Sequence, residues 1–456
     1  AEAEAARAPP GQGGEGDGEG EPSQAERPRQ LEGTAAPTAA GGRRVLAWND
    51  QGQVVVHAEQ NRVEVRREGR GEPQRFPPFE GLEMAAVSAG CCCLGAGAGS
   101  AAPRLVLRPA EAWEKESFAV PLGGPDEAPE AVACGEDFAA ALTSKRLLRV
   151  YSANGLPMGL ASVPGRAVGL AARGQLLLVV TRPAGSGLAP GAPCEEDEAL
   201  DFRLIDVRGL AQRAVGRVPL SAGSRLCWLG FTPSLAPVAV DSRGVARVFF
   251  FCAGLAGSGD WVPVLSLPDE EARLGALRVV GARDRGLLCA QTEPGKLGAL
   301  RELPWTLPLG AMPAAGGAVQ DALLAGLLSR HARVVAGFAA AVPAARDMRE
   351  ADATDPGAAE AEFKMKSLRL FGQLVTADEV ERALDVARGA AAGGADAPKL
   401  LGMMQQFAER AGSHKLADLV AGLPRGAAPP PRPPPAVVGG FFAEGAGAGG
   451  GRRRPA

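Results

Sequence analysis

The sequence predicts a mostly β protein with a C-terminal α region: a β-propeller of about six blades, then a small helical bundle, between disordered tails. Three observations carry this reading. Between about 43 and 303 the apolar residues come in short runs separated by turn residues at a regular beat, the mark of antiparallel strands joined by hairpins. No helical period interrupts those runs. From Gly316-Gly317 the apolar spacing becomes helical and stays so to about 423.

Residues 1–42 are acidic and rich in Gly and Pro, with Glu2, Glu4, Glu15, Asp17, Glu19 and Glu21 and almost nothing to bury, and are expected to form a disordered linker. The sheet pattern starts with Val45-Leu46-Ala47-Trp48, a turn at 49–52, and a return strand over 53–57, followed by the alternating Arg62-Val63-Glu64-Val65-Arg66. Residues 84–94 and 104–108 read as another strand pair, with 113–120 after them. The clearest stretch is 130–182, where runs at 131–134, 138–142, 147–151, 168–172 and 176–180 are cut by Gly135-Glu136, Ser144-Lys145, Asn154-Gly155 and Arg173-Gly174. Strands follow over 201–207, 226–231, 237–240, 245–251, 261–265, 278–281 and 286–291, ending near Leu303.

So many strands without intervening helices leave a sandwich, a barrel or a propeller. About 260 residues exceed one sandwich but suit about six blades of about 40 to 45 residues, although no repeated WD dipeptide marks them. The propeller is therefore assigned to 43–312 and the helical bundle to 316–423.

The first helix of that bundle carries Val319, Leu323, Leu324, Leu327, Leu328, Val334, Val335 and Phe338 on one face. The second carries Phe363, Met365, Leu368, Leu370, Phe371, Leu374 and Val375. Thr376-Ala377-Asp378-Glu379 reads as an N-cap with acidic first-turn residues opening a third, through Val380, Leu384 and Val386. A last helix or helix pair spans 400–423, with Leu400, Met403, Met404, Phe407, Leu416, Leu419 and Val420. The tail 424–456 holds the polyproline II run Pro429-Pro430-Pro431-Arg432-Pro433-Pro434-Pro435 and ends in three arginines; it reads as a disordered spacer.

Composition excludes several classes of function. A net charge of -3 over 456 residues gives no overall pull toward nucleic acid. No apolar run reaches the length of a membrane helix, so no membrane association is expected. Ala1 is not a natural start, and the chain is expected to be part of a longer protein. Eight cysteines, including Cys91-Cys92-Cys93, form no CxxC pair, and His57, His331 and His414 lie far apart, so neither a metal nor a redox cofactor is expected. Asp137, Asp201, Asp206 and Asp241 could serve as acid and base in a propeller channel, but Asp206 and Asp241 sit where turn formers sit, and GxSxG, Walker A and HExxH patterns are absent. No catalysis is expected.

In this order of parts, the sequence resembles the C-terminal half of the replisome adaptor family known as acidic nucleoplasmic DNA-binding protein in animals and SepB in filamentous fungi. The likeness is carried by Trp48-Asn49, by 139–144 with Leu147-Leu148-Arg149-Val150 and Asn154-Gly155, and by Trp228-Leu229-Gly230-Phe231 with 240–245. Met365-Lys366, Leu368, Leu370, Phe407-Ala408 and Lys415-Leu416-Ala417 extend it through the helices. The resemblance implies a non-enzymatic nuclear hub acting in DNA replication and sister chromatid cohesion. It would be a homotrimer whose helical bundles take short helical peptides from the GINS subcomplex of the replicative helicase, from DNA polymerase alpha and from other clients. A peptide site is expected at Leu384, Leu400, Met403, Met404, Phe407 and Leu416, where apolar residues on more than one helix face would leave a groove. Methionines suit a surface that adapts to several ligands. The family's N-terminal WD40 propeller and the HMG box of its animal members are not in this sequence, so DNA binding by this chain is not expected. A propeller-plus-helix scaffold of a vesicle coat or nuclear pore is the alternative, though such a subunit would continue into a helical solenoid.

Overall fold

A computed structural model describes residues 42–424 apart from 70, 112–115, 121, 125, 184–197, 253–257, 294–295, 311–314, 341–354 and 392–396. The expected disordered tails, Trp113 and Cys194 fall outside the described residues.

Six antiparallel sheets follow one another along the chain. Blade 1 is β1 (Arg43–Asn49), β2 (Gly52–His57), β3 (Arg62–Arg67) and β4 (Gln74–Phe76), hydrogen-bonded in that order. Blade 2 is β5 (Leu82–Val87), β6 (Cys91–Ala96), β7 (Arg104–Pro109) and β8 (Phe118–Val120), and blade 3 is β9 (Pro129–Cys134), β10 (Phe138–Thr143), β11 (Leu147–Ser152) and β12 (Pro157–Ser162). Blade 4 is β13 (Gly165–Arg173), β14 (Leu176–Pro183), β15 (Leu200–Asp206) and β16 (Ala211–Val218), and blade 5 is β17 (Leu226–Phe231), β18 (Pro237–Asp241), β19 (Val245–Phe251) and β20 (Gly259–Ser266). Helix α1 (Leu267–Leu274) leads to blade 6, which has β21 (Leu277–Arg283), β22 (Gly286–Glu293) and β23 (Lys296–Pro304). The first strand of each blade lies against the first strand of the next, and β21 returns to β1. The sheets therefore close into the six-bladed propeller that the strand beat predicts.

Closure depends on small side chains where blades meet. All six residues of Phe138-Ala139-Ala140-Ala141-Leu142-Thr143 are buried, as are Cys91, Cys92 and Cys93, because the second strand of a blade is sandwiched between two neighbouring sheets. A polar latch reinforces the ring: Asp50, in the β1–β2 turn, receives a hydrogen bond of 2.8 Å from Arg173 at the end of β13, with Arg283 of β21 at 3.8 Å. The turn presenting Asp50 is set by Asn49, whose Oδ1 accepts the backbone N–H groups of Gln51 and Gly52 at 2.9 and 3.0 Å.

Two strand readings are corrected. Residues 84–94 are a hairpin rather than one strand, because the Ser88 N–H donates to the Cys91 carbonyl (2.9 Å) while its hydroxyl accepts the Cys91 N–H (3.1 Å). Helix α1, opened by Pro268 and the acidic pair Asp269 and Glu270, was not anticipated in the β series.

The chain divides into two compact units, 1–366 and 367–456. In the first, α2 (Ala318–Ala340) packs its apolar stripe on the propeller. Leu324 and Leu328 enter the core of blades 5 and 6 beside Val248, Phe250 and Trp305, and Val335 enters that of blades 4 and 5 beside Phe202 and Phe251. The face predicted to line a bundle thus covers sheet. The start of α3 (Pro356–Thr376) is tied to α2 by a 2.7 Å ion pair between Lys366 and Asp321.

The second unit contains the end of α3, α4 (Val380–Ala391), α5 (Ala397–Arg410) and α6 (His414–Ala421). Leu370, Phe371, Leu374, Ala383, Ala387, Leu401, Ala408 and Val420 contribute to its interior. Thr376 is not the N-cap of α4: it is the last residue of α3, its hydroxyl donating back to the Gly372 carbonyl at 2.8 Å. Asp378 makes the turn, with a left-handed φ of 59°. Among the described residues no helix is long and apolar enough to cross a membrane.

Candidate peptide-binding site

Helix α5 reads APKLLGMMQQFAER. Leu400, Leu401, Met404 and Ala408 recur at the three- and four-residue steps of one face and are buried. Met403 and Phe407, four residues apart, lie on the adjacent face, 55% and 42% exposed. An exposed Phe–Met pair on one helix face is an apolar stripe without a covering element among the described residues.

Phe407 is held in place from below. Its ring meets Phe371 of α3 edge-on at 6.3 Å and lies over Gly372, where a Cβ would stand 3.0 Å from the ring. Glycine there lets the ring rest on the α3 backbone, so that one edge is fixed and the other faces solvent. Exposed Lys399 precedes Met403 by four positions and exposed Arg410 follows Phe407 by three, which brackets the stripe with positive charge. On α6, Leu419 is 43% exposed.

Of the six residues expected to form the site, only Met403 and Phe407 reach the surface. Leu384, Leu400, Met404 and Leu416 are buried, because each sits at the phase where α4, α5 and α6 face one another. They support the surface from within. Gly372 was missed by sequence reasoning, and nothing in an isolated glycine signals that a ring lies over it. The Met403–Phe407 step, out of phase with Leu400–Met404–Ala408, is a signal that could have separated the two faces.

Two of the carboxylates considered for chemistry, Asp206 and Asp241, are engaged by arginines. Burial would push the Asp206 carboxyl up, but hydrogen bonds from Arg208 (2.7 and 2.9 Å) and Arg213 (2.7 Å) prevail and hold it below the ordinary aspartate range. Asp241 is held down in the same way by Arg247 at 2.7 Å and by backbone N–H groups of Ser221 and Val245. Burial pushes the Cys92 and Cys289 thiols up to about 12, which makes them unreactive. Among the described residues no group of three or more His, Cys, Asp or Glu side chains could hold a metal ion.

A protein of Arabidopsis thaliana, ENHANCER OF LHP1 1, is 31% identical over 266 residues, which cover 56% of this chain and 26% of that one. The WD repeat and HMG-box DNA-binding protein 1 of Xenopus laevis is 31% identical over 137 residues, 30% of this chain and 11% of that one. The chain thus spans about a quarter or less of the curated relatives it matches. The crystal structure of HIRA(644-1017) aligns over 75% of this chain and 98% of that one, with a TM-score of 0.37 and 12% identity. The profile of the family described as Minichromosome loss protein, Mcl1, middle region matches residues 29–309, from ahead of β1 to just past β23. The chain belongs to the Minichromosome loss protein Mcl1 middle-region family.

Proposed function

We propose that this chain is a non-enzymatic adaptor in the nucleus, a homotrimeric hub that links the GINS subcomplex of the replicative helicase to DNA polymerase alpha and to other replication factors. Its helical unit captures short amphipathic helices. The carrying observation is the uncovered Met403–Phe407 stripe, seated on Gly372 and bracketed by Lys399 and Arg410. A client helix would lay i, i+3, i+4 and i+7 apolar residues across it, with acidic residues beside the two cations. One such contact is weak, on the order of micromolar, and three copies in one hub raise it by avidity. Family membership and the WD repeat and HMG-box DNA-binding relatives support the replication setting.

The trimer has a surface to use. Leu156, Met158 and Leu160 are 68%, 46% and 58% exposed on the open outer edge of blade 3, and residues 156–164 contain no charge. An uncharged apolar edge strand left in water invites pairing, and burial between copies removes that hazard.

Two variants separate the parts of this reading. Met403→Glu with Phe407→Glu should abolish binding of a GINS or polymerase alpha helical peptide in calorimetric titration while the solution mass stays unchanged. Leu160→Glu should lower the mass and leave single-site peptide affinity intact. Undiminished peptide binding by the first variant would refute the site.

A further inference from the structure

A second surface lies on the propeller, where blades 5 and 6 meet α1. It is a cleft of about 610 Å³ lined by Cys227, Arg243, Leu267, Glu271, Leu277 and Arg278, among others. In β17, Cys227 falls between the paired positions Leu226–Asp241 and Trp228–Val240, so it is the extra residue of a β-bulge and turns outward from a strand whose other residues are buried. The start of α1 packs on the β18–β19 turn: the Leu267 N–H donates to the Gly244 carbonyl at 2.8 Å, and a Cβ on Gly244 would stand 2.8 Å from Pro268. That turn is fixed from inside. Asp241 accepts the backbone N–H groups of Arg243 and Val245 at 3.0 and 3.1 Å and a guanidinium N–H of Arg247 at 2.7 Å, which holds Arg243 at the surface on a turn with little freedom.

The charges of the lining are unequal in what they have left to offer. Its acids are committed, Asp241 as above and Glu271 to the Leu277 N–H at 3.0 Å. Its cations are Arg243, exposed on the turn, and Arg278, half-buried between Leu277 and Val279 in the sequence of β21. Burial pulls the Arg278 pKa below the ordinary arginine value, so a carboxylate brought to it meets a guanidinium that has already shed part of its water. Leu277 and Val279 are only partly buried and add aliphatic surface to the same cleft.

Two cations beside aliphatic surface match a short acidic segment that carries an aliphatic residue. A nucleic-acid strand matches less well, because its affinity comes from many neutralised phosphates and from bases stacked on aromatic rings. We propose that the cleft between blades 5 and 6 binds a short acidic peptide segment of a partner protein, its carboxylates paired to Arg243 and Arg278 and an aliphatic side chain set against Leu277 and Cys227.

The test pans a displayed library of random heptapeptides against the full chain carrying Met403→Glu and Phe407→Glu, so that the stripe on the helical unit does not compete. Enriched sequences should hold several acidic residues around an aliphatic one; no enrichment, or enrichment of neutral or basic sequences, overturns the charge match. An enriched peptide is then synthesised with a fluorophore and titrated by anisotropy. Binding should weaken about tenfold or more with Arg243→Glu and with Cys227→Phe, which fills the cleft without changing its charge, and should largely survive Arg243→Lys. Both positions are exposed, and an unchanged melting midpoint verifies folding. Undiminished binding by either the Arg243→Glu or the Cys227→Phe variant overturns the site. Displacement of the peptide by an equal concentration of oligothymidylate overturns the choice of occupant. None of these outcomes depends on the Met403–Phe407 stripe.

Discussion

Replacing His331 by glutamine should remove a specific part of the protein's acid sensitivity. His331 sits on α2, fully buried, where the helix packs on blade 5. Its ring stacks on Phe251 at 5.5 Å, and its Nδ1 accepts the Phe251 backbone N–H at 3.3 Å. Nε2 must therefore carry the proton, which it donates to the Ser234 carbonyl at 3.0 Å. A second proton on Nδ1 would set two N–H groups against each other in a dry interior. Burial accordingly lowers the pKa from 6.5 to about 4, against the upward pull of the Ser234 bond and the Asp284 charge. With the folded value below the unfolded one, the unfolded chain takes up the proton first. Stability is thus complete above pH 6.5 and is lost as pH falls toward 4. The full displacement corresponds to about 3 kcal/mol, of which about 2 kcal/mol is lost between about pH 7 and 5. Urea unfolding of the propeller, followed by tryptophan fluorescence at both pH values, measures it. The natural protein should lose about 2 kcal/mol more than His331→Gln. Equal losses in the two proteins would refute the reasoning.

The remaining predictions probe the latch, the turns and the helical unit. Asp50→Ala strips the buried Arg173 of its carboxylate partner and should cost about 3 kcal/mol in denaturant unfolding, a size tied to removal of one member of a buried pair. Asp206 and Asp241 are held below the ordinary aspartate value of 3.8, so their stabilisation is present above that value and is lost as pH falls beneath it; Asp241→Asn should flatten the acid limb of a stability–pH curve. Met404→Ala empties a fully buried position and should cost about 2–5 kcal/mol in thermal unfolding of the helical unit. Gly372→Ala places a methyl 3.0 Å from the Phe407 ring and should weaken client-peptide binding several-fold in calorimetry with little change in helix content.

How far the sequence revealed this structure follows from burial. Inner and second strands such as Val132-Ala133-Cys134 and the run 138–142 are packed between sheets, so they read as unbroken apolar runs and were legible. The missed strands β4, β12, β16 and β23 are outermost in their blades, where one edge and much of one face meet water and no apolar run is required. Helix periodicity identified α2 but not what its stripe faces, since the same spacing serves a helix partner or a sheet. At the proposed peptide site, composition pointed to α5, yet the phase that exposes Met403 and Phe407 while burying Met404 depends on the directions from which α4 and α6 approach. Thr376 shows the limit of local signals: its hydroxyl caps nothing ahead and bonds the turn behind.

The adaptor account is tested most directly by light scattering of the full chain at micromolar concentration, with and without a GINS-derived helical peptide. The account predicts a mass of three 46.5 kDa chains, rising by one peptide per chain, with no rise when Met403 and Phe407 are changed to glutamate. A single-chain mass, or an equal rise in the doubly changed protein, would contradict it.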